Sequence, residues 1–209
     1  FNYLPSSATA GAVFTWIRNS ISGISNATAT GNYNPAETLV STSLNPVTAG
    51  YDYTISANGC SSLQTISVIV NQVPAVANQA IAVCSNALFS VNPGNVPPGT
   101  QYTWAAPVSN PAGVLSGTAG TSQNNISQAL SNATLNPAIA TYIVTPVANG
   151  CTGNNFILSA TVNPIPAAAD RVLAAICSGT AFSYAPAGVP AGTNYSWNNP
   201  TTNPLFGLS

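Results

Sequence analysis

The chain has 209 residues, of which five are charged (Arg18, Glu37, Asp52, Asp170 and Arg171), with no Lys, His or Met. Two arginines cannot neutralise a phosphate backbone, which excludes nucleic acid as a main partner. Without Lys or His, no side chain is available as the base that would activate a serine. Asn, Ser and Thr contribute 70 residues and 45% of the chain is hydrophobic. That is the composition of a folded chain with a neutral amide and hydroxyl surface, not of a disordered one. Such surfaces associate easily, which suits an anchored or fibrous protein. No apolar run reaches the length of a membrane span, and no signal peptide is visible. Residue 1 is not a Met, so we expect a window on a longer protein. Four cysteines in a Thr-rich β sequence favour an oxidising compartment.

In chain order, the first landmark is Phe14-Thr15-Trp16, an aromatic strand signal. A hairpin turn follows at Asn58-Gly59, then Cys60, then Ile66, Val68 and Val70 on one strand face. A Pro- and Ala-containing bridge runs from Val73 to Asn78. Cys84 is read as opening a short strand, with Phe89 after it and Tyr102-Thr103-Trp104 as the next aromatic strand. Tyr142-Ile143-Val144 leads into Asn149-Gly150-Cys151, and Phe156, Leu158, Ala160 and Val162 alternate along the closing strand. A second bridge, Ile165 to Asp170, precedes Cys177-Ser178 and Tyr195-Ser196-Trp197. Period-2 alternation between turn formers predicts half-buried antiparallel strands, and no segment carries a capped 3.6-residue stripe. The expected class is all-β.

These landmarks recur. The tryptophans Trp16, Trp104 and Trp197 lie 88 and 93 residues apart, and the two Asn-Gly-Cys turns lie 91 apart. A period of about 90 residues is too long for a solenoid turn and suits a whole small domain. The expected organisation is tandem immunoglobulin-like β-sandwich repeats of about seven strands each. Residues 1-74 form a copy lacking its first strand, 75-166 a complete copy, and 167-209 the first half of a third. The bridges predict a semi-rigid string, because proline fixes φ. The last half-copy is expected to fold only when its missing half is supplied, in the parent chain or by another molecule.

Cys84 and Cys151 are the one pair within a single copy, and one pair per repeat predicts a disulfide between them. Its chain-entropy stabilisation is about 4 kcal/mol. Cys60 and Cys177 are then half-pairs with partners outside the window. Free thiols or a metal site are the alternatives, although four scattered cysteines without His make a poor zinc set. Trp16, Trp104 and Trp197, with Tyr102 and Tyr142, are read as structural core, since each sandwich needs a large central residue. A sugar-stacking platform is the competing reading of the tryptophans. The three carboxylates lie apart, short of the close pair that sugar hydrolysis needs and of the oxygens that calcium needs. No catalytic residue, metal or cofactor is expected. Asp170-Arg171 is read as a solvated pair.

Cys84-Ser85, Pro97-Pro98-Gly99-Thr100-Gln101-Tyr102-Thr103-Trp104, Asn149-Gly150-Cys151-Thr152-Gly153 and Thr161-Val162-Asn163-Pro164 together resemble the PKD-like repeats of very large Bacteroidota cell-surface proteins. Cys177-Ser178-Gly179-Thr180 carries the resemblance into the third copy. It departs from the better known PKD pattern after Trp104, where Ala105-Ala106-Pro107 replaces the acidic, Gly-containing run. The resemblance implies an immunoglobulin-like sandwich in an extracellular, cell-surface adhesin exported by the type IX route, in some cases serving gliding motility. Its partners would be neighbouring repeats of the same chain, surface polysaccharide, or the secretion and motility machinery. The function expected is a non-catalytic stalk segment. A carbohydrate-binding module using loops such as 105–124, or an accessory region of a secreted enzyme, are the alternatives.

Overall fold

The computed structural model describes residues 1–198. Thirteen strands and no helix occur among the described residues: β1 (Val13–Arg18), β2 (Ala29–Asn32), β3 (Val47–Ala57), β4 (Cys60–Val70), β5 (Gln79–Cys84), β6 (Leu88–Val91), β7 (Gln101–Trp104), β8 (Val108–Asn110), β9 (Gly120–Gln123), β10 (Ile126–Ala129), β11 (Ala138–Ala148), β12 (Cys151–Thr152) and β13 (Phe156–Asn163). The expectation of an all-β, sandwich-like fold is met. The first four strands make one sheet in the order β2-β1-β3-β4, and a second sheet runs in the order β5-β13-β11-β7-β9. Strands β8 and β12 pair with β11, while β6 and β10 form a separate ribbon.

Both sheets are built on a long central hairpin arm, β3 and β11, of 11 residues each. Alternation sets their inner faces. On β11 the residues Ala138, Ala140, Tyr142 and Val144 are buried, and on β13 Phe156, Leu158, Ala160 and Val162 are buried against them. Both arms turn at Asn-Gly. Asn58 and Gly59 have φ of 52° and 77°, and Asn149 and Gly150 have φ of 49° and 78°. Positive φ at both central positions is the type I′ geometry, whose twist matches the flanking strands.

Two details differ from the sequence reading. Cys84 ends β5 instead of opening a strand, and β5 runs parallel to β13, with Leu158 level with Gln79 and Asn163 level with Cys84. The chain enters the second unit at its hairpin end and descends beside its last strand, which requires a parallel neighbour. Period-2 alternation is the same in parallel and antiparallel strands, so sequence pattern could not separate them. The segment from Pro164 to Asn198 has no strand, and the expected third copy extends to 209, beyond the described residues.

Candidate functional site: the Trp–Gly cores and the junction between the units

Trp16 is 7% exposed and Trp104 5%. Each sits opposite the central arm, Trp16 level with Tyr53 and Trp104 level with Val144. Each indole is covered by a glycine from the neighbouring strand. A Cβ on Gly31 would lie 2.7 Å from the Trp16 ring, and one on Gly120 would lie 2.3 Å from the Trp104 ring. The backbone of a strand therefore lies flat on each ring, where a sugar would have to stack. That geometry gives Trp16 and Trp104 a packing role and removes the platform reading for these two. Trp104 Nε1 donates to the Thr118 carbonyl at 3.1 Å, whereas Trp16 Nε1 is buried without a partner.

Tyr102 and Tyr142 are fully buried. Tyr102 stands edge-on to Phe156, and Tyr142 edge-on to Phe89. Burial pushes the Tyr142 hydroxyl up to about 12, although it still donates to Gln128 Oε1 at 2.6 Å. The first unit repeats this contact with a charge. Tyr51, the counterpart of Tyr142, donates to Glu37 Oε2 at 2.7 Å, and Glu37 is the counterpart of Gln128. Arg18 closes the group: Nε donates to Glu37 Oε2 at 2.8 Å and Nη2 to Glu37 Oε1 at 3.0 Å. Nη2 also reaches the Ala27 carbonyl at 2.6 Å. The Arg18 side chain is 1% exposed. The Arg18 hydrogen bonds hold the Glu37 carboxyl below its ordinary range, and desolvation, with Glu37 beside it, raises the Tyr51 hydroxyl. Two of the chain's five charges thus form an ion pair in which Arg18 is buried and Glu37 half-buried. Glu37 and Gln128 share the 91-residue offset of the Asn-Gly-Cys turns, the one sequence signal that could have found it.

Trp197 is 86% exposed, which corrects its reading as core among the described residues. No strand lies beside it there, whereas Trp16 and Trp104 each have a central arm and a covering glycine. Asp170 and Arg171 are exposed.

The predicted Cys84–Cys151 disulfide is also corrected. All four cysteines are free thiols, and strand register explains why this pair cannot close. Cys84 is level with Asn163, one residue beyond the level of Val162 and Ala138, whereas Cys151 is level with Ala148 at the other end of β11. Eleven residues of strand separate those levels, about 36 Å at roughly 3.3 Å per residue. A disulfide needs Cα atoms within about 7 Å. Cys60 is likewise level with Ala57, at the hairpin end of the first unit and away from its Val47–Val70 end.

The two units meet where the first bridge passes the second hairpin. Asn71 Nδ2 donates to the Asn149 carbonyl at 3.0 Å. Pro74 is fully buried, and its carbonyl lies where a Cβ on Gly153 would be, 2.1 Å away. Gly153 N in turn donates to the Pro146 carbonyl at 2.9 Å. Asn78 Oδ1 accepts from Ile157 N at 2.8 Å, which seats the chain at the start of β5. Gln72 Oε1 is buried here without a partner. Among the described residues, no three His, Cys, Asp or Glu side chains gather as a metal set, and no helix is long and apolar enough to cross a membrane.

No curated protein matches the chain. The strands that pack around Trp104, from Ile81 in β5 to Pro166 just beyond β13, are matched by the family model of the PKD-like domain, at residues 81–166.

Proposed function

We propose that this chain is a non-catalytic stalk segment of a long, repetitive bacterial cell-surface adhesin, in which tandem PKD-like units hold a terminal binding region away from the cell. Type IX export and a part in gliding motility belong to the same reading, through the resemblance described above. The observation that carries it is the junction. A buried proline seated against Gly153 and a hydrogen bond from Asn71 to Asn149 hold the bridge against the second hairpin, which a spacer needs and a loosely tethered binding module does not. The PKD-like match supports an extracellular setting.

Spin labels on Leu63 and Ile157, both exposed, test this in a chain with its cysteines replaced by serine. A stalk gives one narrow distance distribution, which broadens when Pro74 and Gly153 are replaced. A broad distribution from the start, together with binding on a glycan array, would favour the carbohydrate-binding alternative.

A further inference from the structure

Strand β4 carries an open edge. Among the described residues only β3 pairs with it, whereas its counterpart β13 has β5 on that side. Ala57 and Cys60 flank the two-residue Asn58-Gly59 loop, so the bonds to β3 fall on every second pair, and Thr65, Ser67 and Ile69 turn their N–H and C=O groups outward. Behind that edge Ile66, Val68 and Val70 are only half-buried.

The chain holds a second stretch of the β5 kind. Gln79–Cys84 recurs 93 residues later as Val172-Leu173-Ala174-Ala175-Ile176-Cys177. This stretch is in no strand, with Val172 97% exposed and Ile176 53%. Laid on β4 as β5 lies on β13, it puts Val172 level with Ile66 and Cys177 level with Asn71. Val172, Ala174 and Ile176 then take the inward places of Gln79, Ile81 and Val83 and cover the half-buried face of β4. Arg171 falls level with Thr65 on the outer face, where Thr65 Oγ1 donates to Asp52 Oδ1 at 2.7 Å. Asp52 is the β3 partner of Thr65. Arg171 and Asp52, neither of them in an ion pair among the described residues, thus stand two strands apart, about 10 Å between Cα atoms, within reach of an arginine side chain. In the second unit the same three places hold Asn78, Ile157 and Ile143, with no charge.

The stretch cannot reach the edge within its own molecule. Asn71 is bonded to the hairpin at Asn149, and Asn163 lies about 36 Å from that level. The nine residues from Asn163 to Val172 span at most about 32 Å, and Val172 would have to pass Asn71 to stand beside Ile66.

We propose that residues 171–177 of one copy of this chain add as a parallel strand to the β4 edge of a second copy, with Arg171 paired to Asp52. Donor and acceptor are different surfaces, so the contact is heterologous and repeats head to tail, in rings or open chains. The proposal goes beyond the stalk reading and does not depend on it. Sedimentation velocity of the whole chain under reducing conditions should show mass rising with concentration, with amide exchange slowing at Ser67, Ile69 and residues 172–177 in step. Ser67→Pro removes an outward N–H and leaves the bonds to β3 in place, so it should abolish association. Arg171→Glu and Asp52→Arg, both at exposed positions, should each weaken association about fivefold or more, and the two together should restore it. That rescue keeps the test decisive if the proline variant fails to fold. A chain that stays monomeric at every concentration overturns the proposal. So does association that the charge reversals leave unchanged, or a double variant no better than either single one.

Discussion

The two sheets share a long central arm that ends in an Asn-Gly turn, and their last strands make the contrast between them plainest. On β13 the inward residues Phe156, Leu158, Ala160 and Val162 are at most 2% exposed. The matching β4 residues Ile66, Val68 and Val70 are only half-buried, and Leu63 and Ile69 are open to solvent. Strand β13 has β11 on one side and β5 on the other, whereas β4 has β3 alone. The alternation in sequence is alike, so burial of the face depends on the neighbour. Phe1 shows the same shortfall: it stacks on Tyr51 with ring centres 4.9 Å apart, in the place Phe89 takes against Tyr142, yet it is 37% exposed where Phe89 is 4%. The first unit compensates with ionic hydrogen bonds, placing Arg18–Glu37–Tyr51 where the second has only Gln128–Tyr142.

The largest way to break this contrast is through the indoles. Trp104→Ala removes a fully packed ring and is expected to destabilise the second unit by about 3–5 kcal/mol. Calorimetry should then lower one melting transition and leave the first unit's in place. A single transition that moves as a whole would mean that the units fold as one.

Nearly as large is the loss of Arg18. Arg18→Ala strands the half-buried Glu37 carboxylate and should cost the first unit about 2–3 kcal/mol, because hydrogen bonds to a charged group are lost. Arg18→Met combined with Glu37→Gln restores the arrangement of the second unit and should recover most of that loss in chemical denaturation. If the double variant is no better than the single one, the pair stabilises by more than its charge balance.

Glycine substitution comes next. Gly120→Ala drives a Cβ into the Trp104 ring and Gly31→Ala does so less closely into Trp16, so losses of about 1–3 kcal/mol are expected, larger at Gly120. Equal melting temperatures for wild type and both variants would refute the close approach.

Smaller, but selective, is the effect of acid. The Glu37 carboxyl titrates lower in the fold than in the unfolded chain, so its stabilisation is complete above the ordinary glutamate range. It is lost as pH falls through the depressed folded value. Melting of the first unit should therefore drop between about pH 5 and 3, while the second unit, with Gln128 at that place, stays flat. Alkali should affect both units. A tyrosine hydroxyl raised by burial adds stability below its unfolded value that is lost as pH climbs, for Tyr142 between about 10 and 12.

Amide exchange offers the finest comparison. Central β11 and β13 should be the slowest, β4 faster along its open edge, and the strandless 164–198 segment fastest. Strong protection across 167–198 in a monomer would contradict both the expectation of a half-copy awaiting its complement and the exposure of Trp197.

Alternation and turn chemistry were local enough to be legible without coordinates. Asn58-Gly59 and Asn149-Gly150 dictate their own hairpins, because their positive φ values suit those residues and few others. The aromatic strands of Trp16 and Trp104, and the 90-residue recurrence itself, follow from residue type and spacing. Which strands lie side by side was decided by tertiary structure. A parallel β5, a glycine laid on an indole and the meeting of Arg18 with Glu37 all depend on residues far apart in the chain. The disulfide reading failed for the same reason. Counting cysteines per repeat says nothing about which end of a strand each occupies, and only register puts Cys84 and Cys151 about 36 Å apart. Sequence set the strands, their turns and their period, because these are decided within a few residues of backbone. Neighbours, burial and the junction at Pro74 awaited the fold, because each needs two distant segments to arrive at one place.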